Sequence, residues 1–161
     1  MTDDATTVNE VKKHLRELGT LCDTGYLLAV HIRYTRPTLL FTTYPPAWLE
    51  HYGEKGMMMV DPVVRWAMSA ETETGLALWR DLAADDPGQV VAAAAEYGLH
   101  NGMSFAIGPI TSRTIGSVTS SQPFSSAATA QADALISAIH NLTDGVEHMD
   151  AATVDVLRAI G

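Results

Sequence analysis

Two pairs of strand-like runs, one in each half of the chain, set the strongest limit on the fold. Residues 26–34 (YLLAVHIRY) and 38–43 (TLLFTT) are rich in branched and aromatic side chains and flank the turn-forming break TRP. Residues 103–110 (MSFAIGPI) and 114–121 (TIGSVTSS) repeat the arrangement around Thr111 to Arg113. Such runs between turn signals favour antiparallel pairing. The rest of the chain reads mostly as helix. Val8, Val11, Leu15, Leu18 and Cys22 recur at helical spacing over residues 7–22, and Gly25 follows as a stop signal. Pro46 opens a second helix, and Asp61-Pro62, a cap residue followed by proline at the first helical position, opens a third. An alanine-rich helix spans residues 90–99. A longer one, capped by Ser125 or Ser126, carries the stripe Ala128, Ala132, Leu135, Ile136, Ile139 and Leu142. Residues 75–82 read as an irregular segment or short strand, and residues 151–160 as a last short helix. The expected class is α+β, with one central sheet and helices on both faces.

Composition narrows the functional classes. With 161 residues and 47% apolar side chains the chain suits one domain with a sizeable core. No apolar run approaches the ~20 residues that span a bilayer, and the N-terminus lacks the apolar region of a secretory signal. A cytoplasmic location without membrane contact is expected. Cys22 is the sole cysteine, so neither an intrachain disulfide nor a cysteine metal cluster can form. The charge is −9, and beyond residue 80 only Arg113 and Arg158 face nine acidic side chains. That half lacks the cationic footprint for phosphate contacts, so this polypeptide is not expected to bind nucleic acid by itself. Nucleophile elbow, phosphate loop and H-E-x-x-H motifs are absent, and the six histidines are scattered. No enzyme activity, metal or cofactor is expected.

One segment carries more information. Tyr44, Trp48 and Tyr52 stand at i, i+4 and i+8 in YPPAWLEHY, and Asp61-Pro62-Val63 follows eight residues later. Three large aromatics with polar tips on one helical face would form a wall that is apolar in body and able to hydrogen-bond. Asp61 reads either as a simple helix cap or as a carboxylate facing an apolar cavity. In the second case it needs donors, and a ligand amide N–H is one.

These residues, with Trp79, EYGLHNGMSFAI (residues 96–107), IGSVTSS (residues 115–121) and the QPFSS before the long helix, resemble the autoinducer-binding domain of LuxR-type quorum-sensing transcription regulators. The ordered set covers about residues 26 to 142. The resemblance implies an α/β/α sandwich around an antiparallel sheet of five strands, PAS/GAF-like, whose cavity holds an N-acyl-homoserine lactone. It implies that Trp48 donates to the lactone carbonyl, Asp61 accepts the ligand amide N–H and Tyr44 hydrogen-bonds the acyl carbonyl. Tyr52 and Trp79 would flank the head group, Thr119 would face the acyl carbonyl, and Gly98 and Gly102 would permit tight packing near the site. For the acyl tail the candidates are Leu28, Val30, Leu40, Met57, Met58, Met59, Val63 and Phe105. The ligand-binding domain would span residues 1–148, with 149–161 a linker or the start of a helix-turn-helix domain absent from this chain, through which alone DNA would be bound. A homodimer is expected. Two alternatives stay open: a solo domain that pairs with and silences full-length relatives, and a sensor of another small molecule.

Overall fold

The computed structural model describes residues 4–69 and 74–160. Five antiparallel strands lie in the order β2-β1-β5-β4-β3, so the two hairpins read from sequence meet through β1 and β5 at the centre of the sheet. The strands are β1 (Gly25–Arg33), β2 (Arg36–Thr42), β3 (Gly75–Leu78), β4 (Met103–Ile107) and β5 (Arg113–Thr119). The first turn is Tyr34-Thr35, earlier than the break expected from TRP. Arg33 pairs with Arg36 and Ile32 with Pro37, which sits on edge strand β2, where a missing N–H is tolerated. β4 stops at Ile107 because Gly108 takes a left-handed φ of 87° ahead of Pro109. The stretch expected to be irregular or a short strand divides into β3 and one helical turn, α4 (Trp79–Leu82).

Alternation along the strands gives the sheet two faces, and each is covered by helices. Tyr26, Leu28, Val30, Leu39, Phe41, Met103, Phe105 and Val118 pack with α1 (Asp4–Leu21) and α6 (Ser126–Leu142). The α1 stripe read from sequence, Val8 to Cys22, is buried throughout, and the Ser125 hydroxyl caps α6 by accepting the Ala128 N–H at 3.1 Å. Helix α7 (Ala151–Ile160) joins the same layer, with Leu157 fully buried. The other face carries α2 (Pro46–Glu54), α3 (Pro62–Ala67), α4 and α5 (Val90–Glu96). Both carboxylate oxygens of Asp86 accept from the first turn of α5, at Val90 and Val91. Among the described residues no helix is long and apolar enough to cross a membrane. The architecture is the α+β sandwich around a five-stranded antiparallel sheet expected from the sequence.

Candidate functional site

The second face of the sheet holds the candidate site. Asp61 is the N-cap of α3: its Oδ1 accepts the Val63 N–H at 2.8 Å, and Pro62 fixes the first helical φ. The cap is the bland role weighed from the sequence, and it uses one oxygen. The other, Oδ2, accepts the Tyr52 hydroxyl at 2.8 Å. Burial pushes the Asp61 pKa up, overcoming the lowering effect of the Tyr52 and Val63 hydrogen bonds. The Tyr52 phenol is pushed up by burial and by the adjacent Asp61 charge.

Trp48 and Tyr52 project from α2 and meet edge-to-face with ring centroids 5.7 Å apart. Tyr97, at the end of α5, tilts against Trp48 at 5.5 Å. Tyr44 does not lie on the helical face expected, because α2 starts at Pro46. It reaches the cluster from the strand-to-helix connection, where Gly25 makes room: a Cβ there would stand 3.0 Å from the Tyr44 ring. Tyr44 is buried in the same cluster as Trp48, and its hydroxyl has no hydrogen-bond partner among the described residues. Burial drives its pKa up, so it stays a neutral donor.

Trp79 closes one side. Its Nε1–H donates to Ser104 Oγ at 2.9 Å, and Ser104 shares a 2.6 Å hydrogen bond with Ser117 on the neighbouring strand. A Cβ on Gly102 would overlap the Trp79 ring, so the glycine is needed for this approach. The partner glycine expected to act likewise, Gly98, has open space around its Cα and instead supplies a φ of 86° after α5.

The structure therefore brings Tyr44, Trp48, Tyr52, Val63 and Trp79 together in one cluster, to which Asp61 is joined through its hydrogen bond from Tyr52. Thr119 ends β5 on the same face as Ser117, beside Gly25; it accepts from the Thr24 hydroxyl at 2.8 Å and donates to the Gly25 carbonyl at 3.2 Å. Phe105 is a correction. With Leu28 and Val30 it packs on the opposite face, among α1 and α6, because Ser104 and Ala106 are the β4 side chains that point to the site. Met57 is buried with the cluster, but Met58 is half-exposed and Met59 is 83% exposed, since the 3-10 turn at 57–59 directs only the first inward. Leu40, on edge strand β2, is also half-exposed. Ser104, Ser117 and Tyr97 were not anticipated. Ser104 is the polar residue of the otherwise apolar β4, and that break is the sequence signal for it; Ser117 stands among the polar residues of β5 and has none.

Chemically the cluster offers phenol and indole donors and one carboxylate acceptor inside an apolar shell. Cys22 lies in the other core and donates to the Leu18 carbonyl; burial raises its thiol to about 12, far from a nucleophile's range. Among the described residues no three His, Cys, Asp or Glu side chains converge as a metal site.

Residues 9–145 match the sequence profile of the autoinducer binding domain. The chain is 28% identical over 104 residues to the transcriptional activator protein SolR of Ralstonia nicotianae, a match covering 63% of this chain and 42% of the relative. It thus spans under half of that relative's length. The fold resembles that of SdiA in complex with octanoyl-rac-glycerol (TM-score 0.63, 22% identity, 91% of this chain and 62% of that one). It also resembles CepR2 from Burkholderia cenocepacia, described as an N-acylhomoserine-lactone-dependent LuxR-family transcription factor (TM-score 0.52, 18% identity, 88% and 93%).

Proposed function

Because the chain belongs to the family of autoinducer-binding domains of LuxR-type transcriptional regulators, we propose that it senses an N-acyl-homoserine lactone in the Tyr44–Trp48–Asp61 cluster. The observation that carries this reading is the Tyr44 hydroxyl, a buried donor without a partner in the same apolar shell as a carboxylate. Leaving such a donor unpaired costs about 1–3 kcal/mol, and a ligand carbonyl removes that cost. An acyl-homoserine lactone presents two carbonyl acceptors and one amide donor. Tyr44 and Trp48 supply the two donors and Asp61 the acceptor. Tyr52 orients Asp61 through its 2.8 Å hydrogen bond rather than touching the amide itself. Trp79 flanks the head group, and Val63 and Met57 contribute apolar wall.

The role is binding without turnover. Ligand that binds only the folded state stabilises it by RT ln(1 + [L]/Kd), about 2.7 kcal/mol at a hundredfold excess over Kd. In a full-length regulator that gain would be passed to dimerisation and to DNA contacts made by a separate domain, in the cytoplasm. The test is a thermal-shift series with lactones of graded chain length on wild type and Asp61→Asn, with octanoyl-glycerol as a ligand of different head group. A saturable lactone-dependent rise in wild type that disappears in Asp61→Asn is expected. An equal rise in the variant removes Asp61 from the site. A rise with octanoyl-glycerol alone replaces the lactone by another acylated molecule.

A further inference from the structure

His31 stands at a break in the central strand pair. Ala29 pairs with Ile115 and Ile32 with Arg113, so Val30 and His31 together oppose Thr114 in a β-bulge. His31 takes a left-handed φ of 49°, which a non-glycine residue adopts only at a cost. The bulge interrupts the alternation of β1: Val30 and His31 both turn toward α6, and Ile32 returns to the opposite face. The strand thereby gains a contact between two imidazoles. The rings of His31 and His140 stack with centroids 4.2 Å apart, and the residues are 2% and 8% exposed. His31 Nε2 donates to the His140 carbonyl at 2.8 Å, and in the neutral ring Nδ1 accepts from the Ser112 hydroxyl at 2.8 Å. His140 Nδ1 meets Thr114 Oγ1 at 2.6 Å, and the same oxygen accepts the His31 N–H at 3.2 Å. The His140 ring also abuts Gly108, where a Cβ would stand 2.6 Å from it. Strands β1 and β5, the turn after β4 and the end of α6 thus meet at one buried polar node.

The surrounding charges disfavour an imidazolium there. Among the described residues no carboxylate bonds to either ring. Arg113, next to Thr114, donates to the Gly108 carbonyl at 3.0 Å and to the Ala67 carbonyl at 2.9 Å, which places a buried cation on the same node. Glu147, in the turn at 146–148, is held by Arg33 at 2.6 Å and lies 3.9 Å from His148. Asp144, two residues past α6, favours a charged His140, but burial and the adjacent His31 outweigh it and hold the His140 pKa below 6.5.

We infer that the His31–His140 stack is a proton-operated latch: neutral, it docks the end of α6 on the β1 bulge, and uptake of a proton releases it. The inference is independent of which ligand the domain senses. An unfolded chain takes up the His140 proton near 6.5 and the folded chain only at lower pH. The contribution of the latch is therefore complete above 6.5 and is lost as pH falls from there toward the folded value.

Urea unfolding between pH 8 and 5.5 on wild type, His140→Asn and the exposed control His148→Gln tests the latch. Below 6.5 the unfolding constant of wild type should rise more steeply than that of His140→Asn, by up to about tenfold per pH unit, the limit for one proton. Taking the difference at each pH cancels the carboxylates, and His148→Gln should run parallel to wild type. Carbon-13 histidine titration of wild type, read beside amide protection along α6, follows the same step without a substitution. His140 should stay neutral until α6 loses protection. A His140→Asn profile parallel to wild type overturns the inference, and so does a His140 ring that charges while α6 stays protected. If His140→Asn does not fold, the wild-type titration decides.

Discussion

Replacing Tyr44 by phenylalanine separates two effects that a binding-site residue usually mixes. The Tyr44 ring is 6% exposed and packs over Gly25, and phenylalanine keeps that contact. What disappears is a hydroxyl that is buried and unpartnered. Relief of its desolvation should stabilise the unliganded domain by about 1–3 kcal/mol. For a chain of this length each kcal/mol moves Tm by roughly 2–4 °C, so the melting temperature should rise by at least a few degrees. The ligand complex should move the other way. Binding no longer relieves that cost in the variant, so the lactone complex loses about the same 1–3 kcal/mol, a weakening of Kd by roughly five- to 150-fold. Differential scanning calorimetry on the free protein and titration calorimetry with the lactone read the two numbers independently. A lower Tm in the free variant, or an unchanged Kd beside a higher Tm, would refute the argument that Tyr44 is held in readiness for a ligand acceptor.

Three further perturbations follow from the same geometry. Gly102→Ala drives a methyl group into the Trp79 ring; overpacking of this kind costs about 1–3 kcal/mol, visible as a fall in Tm together with a changed tryptophan emission. Leu157→Ala should cost about 2–5 kcal/mol in urea unfolding, because Leu157 is fully buried, while Val156→Ala, 45% exposed on the same helix, should stay within about 0.5 kcal/mol; equal small effects would mean that α7 is not docked in solution. Asp23 accepts from the Ser120 hydroxyl and from the Ser121 N–H and hydroxyl, and these bonds hold its pKa below the ordinary 3.8. The stabilisation is present above the unfolded value and fades as pH falls through the lower, folded value. Asp23→Asn should therefore flatten the acid limb of stability against pH. Asp61 has the opposite sign: its raised pKa favours folding below the unfolded value, and that contribution is withdrawn as pH rises through the folded one. An Asp61→Asn variant should lose this opposing slope.

Much of the fold was legible because it depends on local chemistry. The stripe Val8 to Cys22 can be buried only as one helical face, Asp61-Pro62 can start a helix almost regardless of surroundings, and the two runs of branched residues pair across short turns. The ordered aromatic and acidic residues of the candidate site were also legible, since Trp48, Tyr52 and Asp61 come from one short stretch and meet with little help from the distant chain.

What only the tertiary structure decided is which side of the sheet each alternating residue faces. Period two ties Phe105 to Met103 and Ser104 to Ala106, but not to one helical layer or the other; that choice follows from α1 and α6 covering one face and α2 to α5 the other. The same nonlocal packing exposes Met59, buries Leu157, and sets Trp79, the first residue of α4, onto the serine pair formed by β4 and β5. Side chains far apart in sequence share a free energy only after the sheet has closed, so periodicity along the chain can state that a residue is buried without stating against what.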